Sequence, residues 1–296
     1  MKPIVTVFTP TYNRAYRLTK AYESLKKQTD KCFEWIIVDD GSTDNTKDLV
    51  ETWLKYKNGF KISYYFQKNS GKHIAINFGV KHAAGKLFLI LDSDDYLKED
   101  AIEIIIHYAN SIKDKKRYGG VVGNKAYFDD ITIGRTFEGN IKDINFFQRE
   151  KYGISGDKAE VFYTEVLKLY PFPKFKNEKF CTEALVWNRI AKDGWIFRFF
   201  NENIYYAEYL DDGLSKKYWK LMYENPIQAS IYYKELSQIN KYFTFKDKII
   251  NQSLAVIFEY EAIKKLNKIK EELNINIFEL FIYFLLGSIH KVKHNA

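Results

Sequence analysis

The amino-acid sequence predicts an α/β fold: a mostly parallel sheet flanked by helices, with a helical extension at the C-terminus. In residues 1–100, short apolar runs alternate with amphipathic helical patterns. Strands that are apolar along their whole length are typical of a parallel sheet covered by helices on both faces. After about residue 216 the pattern is helical throughout.

The first hundred residues contain four predicted strands, at residues 4–8, 35–38, 62–66 and 87–91. Pro10 follows the first run, Asp39 the second and Asp92 the fourth. The segments between them carry apolar side chains at helical spacing: Ala15, Leu18, Tyr22 and Leu25; Leu49, Val50, Trp53 and Leu54; Ile76, Val80 and Ala83. Ligands of such sheets bind beyond the carboxyl ends of the strands, so the acidic clusters at two strand ends mark the predicted site.

The next hundred residues are more mixed. We predict strands at residues 120–128, 160–163 and 195–200, and helices at 101–110 and 182–193. A domain boundary is predicted near residue 215, so that residues 1–215 form one domain and residues 216–296 a helical region.

Composition narrows the classes of partner. The formal net charge of +8 suits an anionic partner, such as a phosphorylated substrate, nucleic acid or an acidic membrane surface. No nucleic-acid-binding motif is found, which disfavours that class. Cys32 and Cys181 lack CxxC spacing, which favours a reducing compartment. No run reaches the about 20 apolar residues of a membrane span, so we expect a cytoplasmic protein, soluble or peripheral on the membrane.

An acidic cluster, Asp92-Ser93-Asp94-Asp95, directly follows the fourth strand. Packed carboxylates repel each other unless a cation neutralises them, and hard divalent ions take oxygen ligands. A diphosphate would complete the coordination of such an ion. A solvated turn is the simpler alternative. An EF-hand loop is excluded, because Tyr96 and Leu97 stand where that motif needs an acid or amide and then a glycine.

A second acidic pair, Asp39-Asp40, ends the second strand and precedes Gly41. An acid here can accept hydrogen bonds from a nucleobase or ribose, and glycine allows a close backbone approach. The alternative is a turn in which Ser42 or Asp44 caps the next helix. The two roles are compatible, with Asp40 binding the ligand while Ser42 or Asp44 caps the helix.

Residues 69–73, NSGKH, open the third helix, whose N-terminus and Lys72 favour an anion. An exposed surface lysine is the alternative. A P-loop is disfavoured, because Phe66 and His73 replace its glycine and its serine or threonine.

Glu183 lies in the first turn of the helix predicted at 182–193, where the helix dipole favours a carboxylate. A glutamate that only stabilises the helix N-terminus would occupy the same position in the sequence. Glu178, Asp211 and Asp212 are rival candidates for a catalytic acid or base in this region.

These pieces together resemble the inverting family 2 glycosyltransferases of the GT-A fold, of the bacterial surface-polysaccharide type. The segments VTVFTPTYNR, WIIVDDGSTD, GKHIAINFG and LILDSDD occur in the family's order and approximate spacing. The match is dense over residues 1–100 and looser over 101–215. It implies a nucleotide-sugar-binding half followed by an acceptor-binding half.

The resemblance also implies roles for residues of the donor site. Pro10, Tyr12 and Asp40 would line the nucleobase pocket, with Lys72 or nearby backbone completing it. Asp92 and Ser93 would lie by the ribose and the diphosphate.

The same resemblance implies a metal and a base. Asp94 corresponds to the metal-contacting acid of the DxD motif, with Asp95 second, and the metal would be Mn²⁺ or Mg²⁺. Glu183 matches the catalytic base that opens a later helix in the family, and Trp187-Asn188-Arg189 supports that alignment. Many relatives carry Glu-Asp at this point, where this chain has Thr182-Glu183.

The implied reaction is a single displacement from a nucleotide-sugar donor to a hydroxyl of a glycan or lipid-linked acceptor. UDP is the commonest nucleotide in the family, with dTDP and GDP as alternatives. A catalytically silent nucleotide-sugar-binding or scaffolding protein on the same fold is the alternative function.

The segment 275–289 is strongly apolar and is followed by His290, Lys291, Lys293 and His294. It is predicted to pack against the preceding helices or a second copy, or to lie on an anionic membrane surface.

Overall fold

The computed structural model describes residues 2–208, 216–239, 241–263 and 266–295. The chain divides into two compact units. The first comprises residues up to Phe172 together with Arg189–Glu208, and the second comprises Pro173–Asn188 and the residues that follow Glu208. The sequence predicts a single boundary near residue 215, whereas the segment Pro173–Asn188 belongs to the second unit.

The strands of the first unit form one sheet. Their bounds are β1 Val5–Thr11, β2 Phe33–Asp39, β3 Lys61–Phe66, β4 Leu87–Ile90, β5 Tyr96–Leu97, β6 Tyr118–Ala126, β7 Ile141–Ile144, β8 Lys158–Tyr163 and β9 Ile196–Tyr206. The order is β3-β2-β1-β4-β8-β6-β9-β5, and β7 pairs with β9. All four strands predicted in the first hundred residues are confirmed.

The helices of this unit connect the strands. They are α1 Ala15–Lys27, α2 Thr46–Leu54, α3 Lys72–His82, α4 Ala101–Ser111 and α5 Thr164–Leu169. The next helix, α6 Glu183–Lys192, begins in the second unit. Each helix predicted up to residue 193 is present at nearly the predicted bounds.

Parallel pairing is confirmed for the first four strands, in which β1 pairs with β2 and β4, and β2 pairs with β3. The neighbouring strand β8 runs antiparallel to both β4 and β6. Beyond it, β6 and β9 are again parallel. The sheet is therefore parallel where the sequence alternates strands with helices, and mixed where the pattern loses that alternation.

Strand β1 continues through Pro10, although the sequence predicts that it ends earlier. Leu91 N–H donates to Phe8 O at 2.8 Å, so even-numbered residues of β1 turn their backbone groups toward β4. The named strand β4 ends at Ile90, opposite Phe8. Proline lacks an N–H and is tolerated where a strand needs no donor on that side. Pro10 lies at such a position, which lets β1 extend to Thr11 beside β2.

The core of the first unit lies between the sheet and its helices. Tyr22 of α1, Trp35 of β2 and Trp53 of α2 stack together, with the Tyr22 and Trp53 ring centroids 4.3 Å apart. Each is at most 5% exposed. Burying large aromatic side chains is a major source of packing energy, and this cluster fixes the helices against β1 and β2.

The described part of the second unit is helical beyond residue 216, as predicted. Its helices are α7 Tyr218–Glu224, α8 Pro226–Ser237, α9 Phe245–Ile263, α10 Leu266–Leu273 and α11 Ile277–Asn295. Val256 and Phe258 of α9 are buried, as is Leu280 of α11. None of the described helices combines the length and apolar character that crossing a membrane requires.

Candidate active site

The carboxyl ends of β2, β1 and β4 lie side by side in the sheet. The chain passes from β1 outward to β2 and β3, then returns to place β4 on the other side of β1. Ligands of open α/β sheets bind at such a switch in strand order. Because β2 ends at Asp39 and β4 at Ile90, the fold brings both predicted acidic clusters to this edge.

The cluster at residues 92–95 forms a tight turn, in which Asp95 N–H donates to Asp92 O at 3.2 Å. Tyr205 of β9 holds this turn from the second half of the sheet. Its hydroxyl accepts from Asp92 N–H at 3.0 Å and donates to Asp95 Oδ2 at 2.7 Å. Glu208 N–H donates to the other oxygen of Asp95 at 3.3 Å. The Asp95 carboxylate is buried and engaged within the protein.

Two lysines supply positive charge to the turn. Lys72, the first residue of α3, places Nζ 2.6 Å from Asp92 Oδ1. Lys125 of β6 lies over the Tyr205 ring, with Nζ 4.2 Å from its centroid. Burial opposes ionisation of Asp92, but the charges of Lys72 and Lys125 outweigh it and hold the pKa of this carboxyl below its usual value. Asp92 is therefore an anion at neutral pH.

The other two carboxyls of the turn are harder to ionise. Burial, with the Asp92 charge, raises the pKa of Asp94. The same two causes raise the pKa of Asp95 to about 7. The turn thus holds more acidic groups than the two lysines neutralise, and an added cation would favour the ionised form of each.

A divalent cation fits this donor set through Asp92 and Asp94, which are half-buried, whereas Asp95 is turned to Tyr205 and the backbone. The described residues contain no group of three or more His, Cys, Asp or Glu side chains arranged to hold a metal. A metal here would need further oxygen ligands, and a diphosphate can supply them.

Asp40 organises the loop that leads into α3. Its Oδ1 accepts from Gln67 Nε2 at 2.7 Å and from Ser70 N–H at 2.8 Å, and its Oδ2 accepts from Gly71 N–H at 2.7 Å. The side chain is buried. Asp40 therefore fixes the N-terminus of α3 and, with it, Lys72. Its predicted contact with a nucleobase stays a prediction.

Gly41 has a left-handed backbone with φ of +89°, and a Cβ there would lie 2.8 Å from Asn69 N. The absence of a side chain at Gly41 therefore lets the backbone of this turn lie close to the loop that leads into α3. A larger residue would push this loop away from Asp40.

The alternative predicted for this turn is a helix cap by Ser42 or Asp44. The N-cap residue of α2 is instead Asn45, which makes no side-chain cap bond, but the carboxylate of Asp44 binds the first N–H of two helices. Its Oδ1 accepts from Thr46 N–H, the first residue of α2, at 3.1 Å. Its Oδ2 accepts from Ala15 N–H, the first residue of α1, also at 3.1 Å. Ser42 instead accepts from Asn13 N–H at 2.8 Å. One carboxylate thus joins the N-termini of two helices beside the site.

The remaining predicted donor-site residues lie at the same strand ends. Pro10 is buried in β1, Ser93 is buried in the acidic turn, and Tyr12, just beyond β1, is 49% exposed. An exposed aromatic ring at a strand end is suited to stacking on a flat ligand. Their roles toward a nucleotide stay predictions.

Glu183 is the first residue of α6, as predicted, and is partly exposed. Its rival Glu178 is buried, and its two carboxylate oxygens accept from Ile227 N–H at 2.7 Å and Gln228 N–H at 2.9 Å. Glu178 thus caps the N-terminus of α8. The other rivals, Asp211 and Asp212, lie outside the described residues.

Two residues of the site were missed by sequence reasoning: Lys125 and Tyr205. Each lies in a strand whose pattern indicates only burial. A lysine in the largely buried strand GGVVGNKA is a signal that sequence reasoning could have used, because a charge in such a strand needs a partner. Tyr205 carries no comparable signal.

Comparison with known proteins agrees with this geometry. Residues 6–177 match the sequence profile of glycosyl transferase family 2, and the chain therefore belongs to that family. The resemblance seen in its four segments is thereby confirmed.

Individual relatives match parts of the chain. A Rickettsia felis protein named as an uncharacterized glycosyltransferase is 38% identical over 140 residues, which cover 46% of this chain and 23% of that protein. The GalNAc(5)-diNAcBac-PP-undecaprenol beta-1,3-glucosyltransferase of Campylobacter jejuni is 27% identical over 194 residues, covering 64% of this chain and 60% of that enzyme. This chain spans less than a quarter of the length of the Rickettsia relative.

Solved structures share the fold. Residues 1–349 of S. aureus TarS, in complex with UDP-GlcNAc, superimpose with a TM-score of 0.59 at 19% identity, covering 95% of this chain and 79% of that chain. The mannosyltransferase of Pyrobaculum calidifontis, in complex with GDP-Man and Mn²⁺, gives a TM-score of 0.57 at 17% identity, covering 99% of this chain and 88% of that chain. The predicted GT-A fold is confirmed.

Proposed function

We propose that this protein transfers a sugar from a nucleotide-sugar donor to a hydroxyl of a glycan or lipid-linked acceptor, with inversion at the anomeric carbon. The observation that carries the proposal is the acidic turn Asp92–Asp95 beside Lys72, at the switch point of the sheet. Carboxylates and a lysine at a helix N-terminus together suit a diphosphate with its cation. Membership of the family supports the same reading.

The nucleoside would lie over the ends of β1 and β2. Tyr12 offers an exposed ring for the base, and Asp40, whose carboxylate holds the α3 loop, would border the nucleobase pocket. Pro10 would form the floor of this pocket, and Ser93 would lie by the ribose. We propose UDP as the nucleotide, since the TarS complex contains UDP-GlcNAc.

The diphosphate would lie between Lys72 and the acidic turn. Asp94 would hold a Mn²⁺ or Mg²⁺ ion, with Asp92 beside it, and Asp95 would keep the turn in place through Tyr205. A bound divalent ion would act as a Lewis acid that offsets charge on the leaving nucleoside diphosphate. Lys72, which bonds to Asp92 in this structure, would then contribute its charge to the phosphates.

Glu183 is the proposed general base, which would accept the proton of the attacking hydroxyl. Support comes from its place at the start of α6 and from its rival Glu178, whose oxygens are occupied by the backbone of α8. We propose an acceptor in bacterial surface polysaccharide or glycoconjugate synthesis. The Campylobacter relative, named for an undecaprenol-linked acceptor, supports this class.

A thermal-shift panel tests the donor site first: UDP, dTDP, GDP and CDP, each with and without Mn²⁺. A ligand that binds only the folded state raises the melting temperature by mass action. We expect a shift with UDP that grows with Mn²⁺. No shift with any nucleotide would contradict the donor site. Metal-dependent binding without turnover on any acceptor would instead favour the silent nucleotide-sugar-binding protein.

Asp94→Ala provides the matching variant and should lose the Mn²⁺-dependent part of the shift and the turnover. Asp129→Ala, which removes an exposed carboxylate outside the site, is its control. Equal Mn²⁺ dependence in both variants would remove Asp94 from the metal site.

A further inference from the structure

Helix α11 is apolar on two faces. One face packs within the second unit, where Leu280 is buried against Val256 of α9 and a Cβ on Gly287 would lie 2.6 Å from Ser253 O. The other face leaves seven side chains at least 40% exposed: Ile277, Phe278, Phe281, Ile282, Leu285, Leu286 and Ile289. Their spacing follows the helical period, so they form one continuous strip, called here the α11 strip.

The α11 strip is too apolar for a face that meets only water. Phe278 is 77% and Phe281 71% exposed, and no charged residue occurs from Leu280 to Ile289. Helices of water-soluble proteins normally turn polar residues outward. Contiguous exposed apolar patches of several hundred Å² mark surfaces that bind a partner.

The strip runs along one helix face for about three turns. A strip of this width and length suits a helix that lies in the surface of a bilayer, where the apolar face enters about 5–10 Å.

Charge around the strip favours an anionic surface. Ile249 and Ile250 of α9 line the same cleft as Leu286 and Ile289, so the start of α9 adjoins the C-terminal end of the strip. That start carries Lys246 and Lys248 with Asp247 between them, and Phe245 beside them is 78% exposed. Residues 241–296 contain nine lysines and six acidic residues. Lysines next to a buried apolar face strengthen binding to anionic lipid.

We propose that the α11 strip docks the protein on the surface of an anionic lipid bilayer, with the lysines at the start of α9 facing the headgroups. The bilayer covers the apolar side chains that the helical unit leaves exposed. This inference is independent of the donor site, because it rests on residues of the second unit alone.

Vesicle co-sedimentation of the full chain tests the proposal. The vesicles are phosphatidylcholine alone or an equal mixture with phosphatidylglycerol, at low and high salt. We expect binding to the anionic vesicles that weakens with salt. The double variant Phe281→Glu with Leu285→Glu should lower the partition coefficient at least about tenfold, because it replaces inserted apolar surface by charge.

The control is Leu54→Glu with Leu169→Glu, which changes two exposed leucines of the first unit and should bind as the unchanged protein does. Near-ultraviolet circular dichroism checks the fold of each variant. Failure of the unchanged protein to bind anionic vesicles would overturn the proposal, as would equal binding by the strip variant. A dimer in sedimentation velocity that the strip variant dissociates, without vesicle binding, would assign the strip to a second copy.

Discussion

The Tyr205 hydroxyl lies 2.7 Å from Asp95 Oδ2 and accepts the N–H of Asp92 at 3.0 Å. One side chain from the last strand of the first unit thus fixes both ends of the acidic turn that follows β4. Burial, with the charges of Asp95 and Asp92, raises the pKa of Tyr205, so the hydroxyl keeps its proton and remains a donor. The position of the proposed metal ligands therefore depends on a strand remote in sequence.

Tyr205→Phe should lower the free energy of unfolding by about 1–3 kcal/mol, because Asp95 loses a buried hydrogen-bond donor and Asp92 N–H loses its acceptor. Turnover should fall as well, since the turn is less well held. Urea denaturation and steady-state rates measure the two effects. Tyr206→Phe is the control, as that hydroxyl donates to Asp130 at the surface at 2.8 Å. Equal behaviour of the two variants would show that the bridge to the turn is unimportant.

Asp95→Asn should change how stability depends on pH. The pKa of Asp95 is raised to about 7 from an ordinary 3.8. A carboxyl whose folded-state pKa is raised contributes stability below its unfolded pKa and loses it as the pH rises through the folded value. The unchanged protein should therefore lose stability between about pH 4 and pH 7, the interval between the unfolded and the folded pKa, and the asparagine variant should lose less over that interval.

Urea denaturation without metal, at several pH values, measures this difference. Saturating Mn²⁺ should reduce it in the unchanged protein if the ion binds at the turn, because the cation favours the ionised carboxyls. Parallel stability curves for the two proteins would contradict the raised pKa.

Much of the fold could be predicted from the sequence because its signals are local. The buried parallel strands appear as apolar runs, and turn residues such as Asp39 and Gly41 directly follow them. The predicted acids meet at one edge because parallel strands of a switch-point sheet end together. The order of the four family segments then identified the family.

The rest depends on pairing between distant strands. Tyr205 reaches Asp92 only because β9 lies beside β6 and β5, and Lys125 lies over Tyr205 for the same reason. The local sequence shows no pattern for the antiparallel direction of β8. It also shows none for the hydrogen bond from the N-terminus of α8 to Glu178. Sequence alone therefore predicted the acids of the site and missed what holds them.

Asp44→Ala should lower the free energy of unfolding by about 1–2 kcal/mol, since its carboxylate accepts from the first N–H of both α1 and α2. Burial opposes ionisation of Asp44, but these hydrogen bonds outweigh it and lower its pKa below the ordinary 3.8. The stabilisation should thus be constant above that pH and be lost as the pH falls through the folded value. Urea denaturation with Asp48→Ala as control checks both statements. If the destabilisation caused by Asp44→Ala grew toward low pH, that result would contradict the assigned hydrogen bonds and the lowered pKa.

Lys72→Met should weaken binding of UDP with Mn²⁺ by about ten- to hundredfold, the usual effect of losing one charge-assisted hydrogen bond. The variant also removes the nearest cation of Asp92, so the pKa of that carboxyl should rise. Isothermal titration calorimetry measures the affinity. Lys81→Met, at the other end of α3, is the matched control and should bind UDP normally. Equal affinities in the two variants would remove Lys72 from the donor site.

The assignment of the general base is tested by replacing Glu183 and Glu178, one at a time, with glutamine. Glu183→Gln should lower turnover by about a hundredfold or more while leaving UDP affinity unchanged, because a general base contributes to the chemical step alone. Glu178→Gln should do the reverse: the N-terminus of α8 loses a charged cap, which costs about 1–2 kcal/mol of stability, and the folded enzyme keeps its turnover. Rates measured at saturating donor, with denaturation curves for both variants, separate the two. A Glu183→Gln enzyme at full rate, beside an inactive but folded Glu178→Gln enzyme, would transfer the role of base to Glu178.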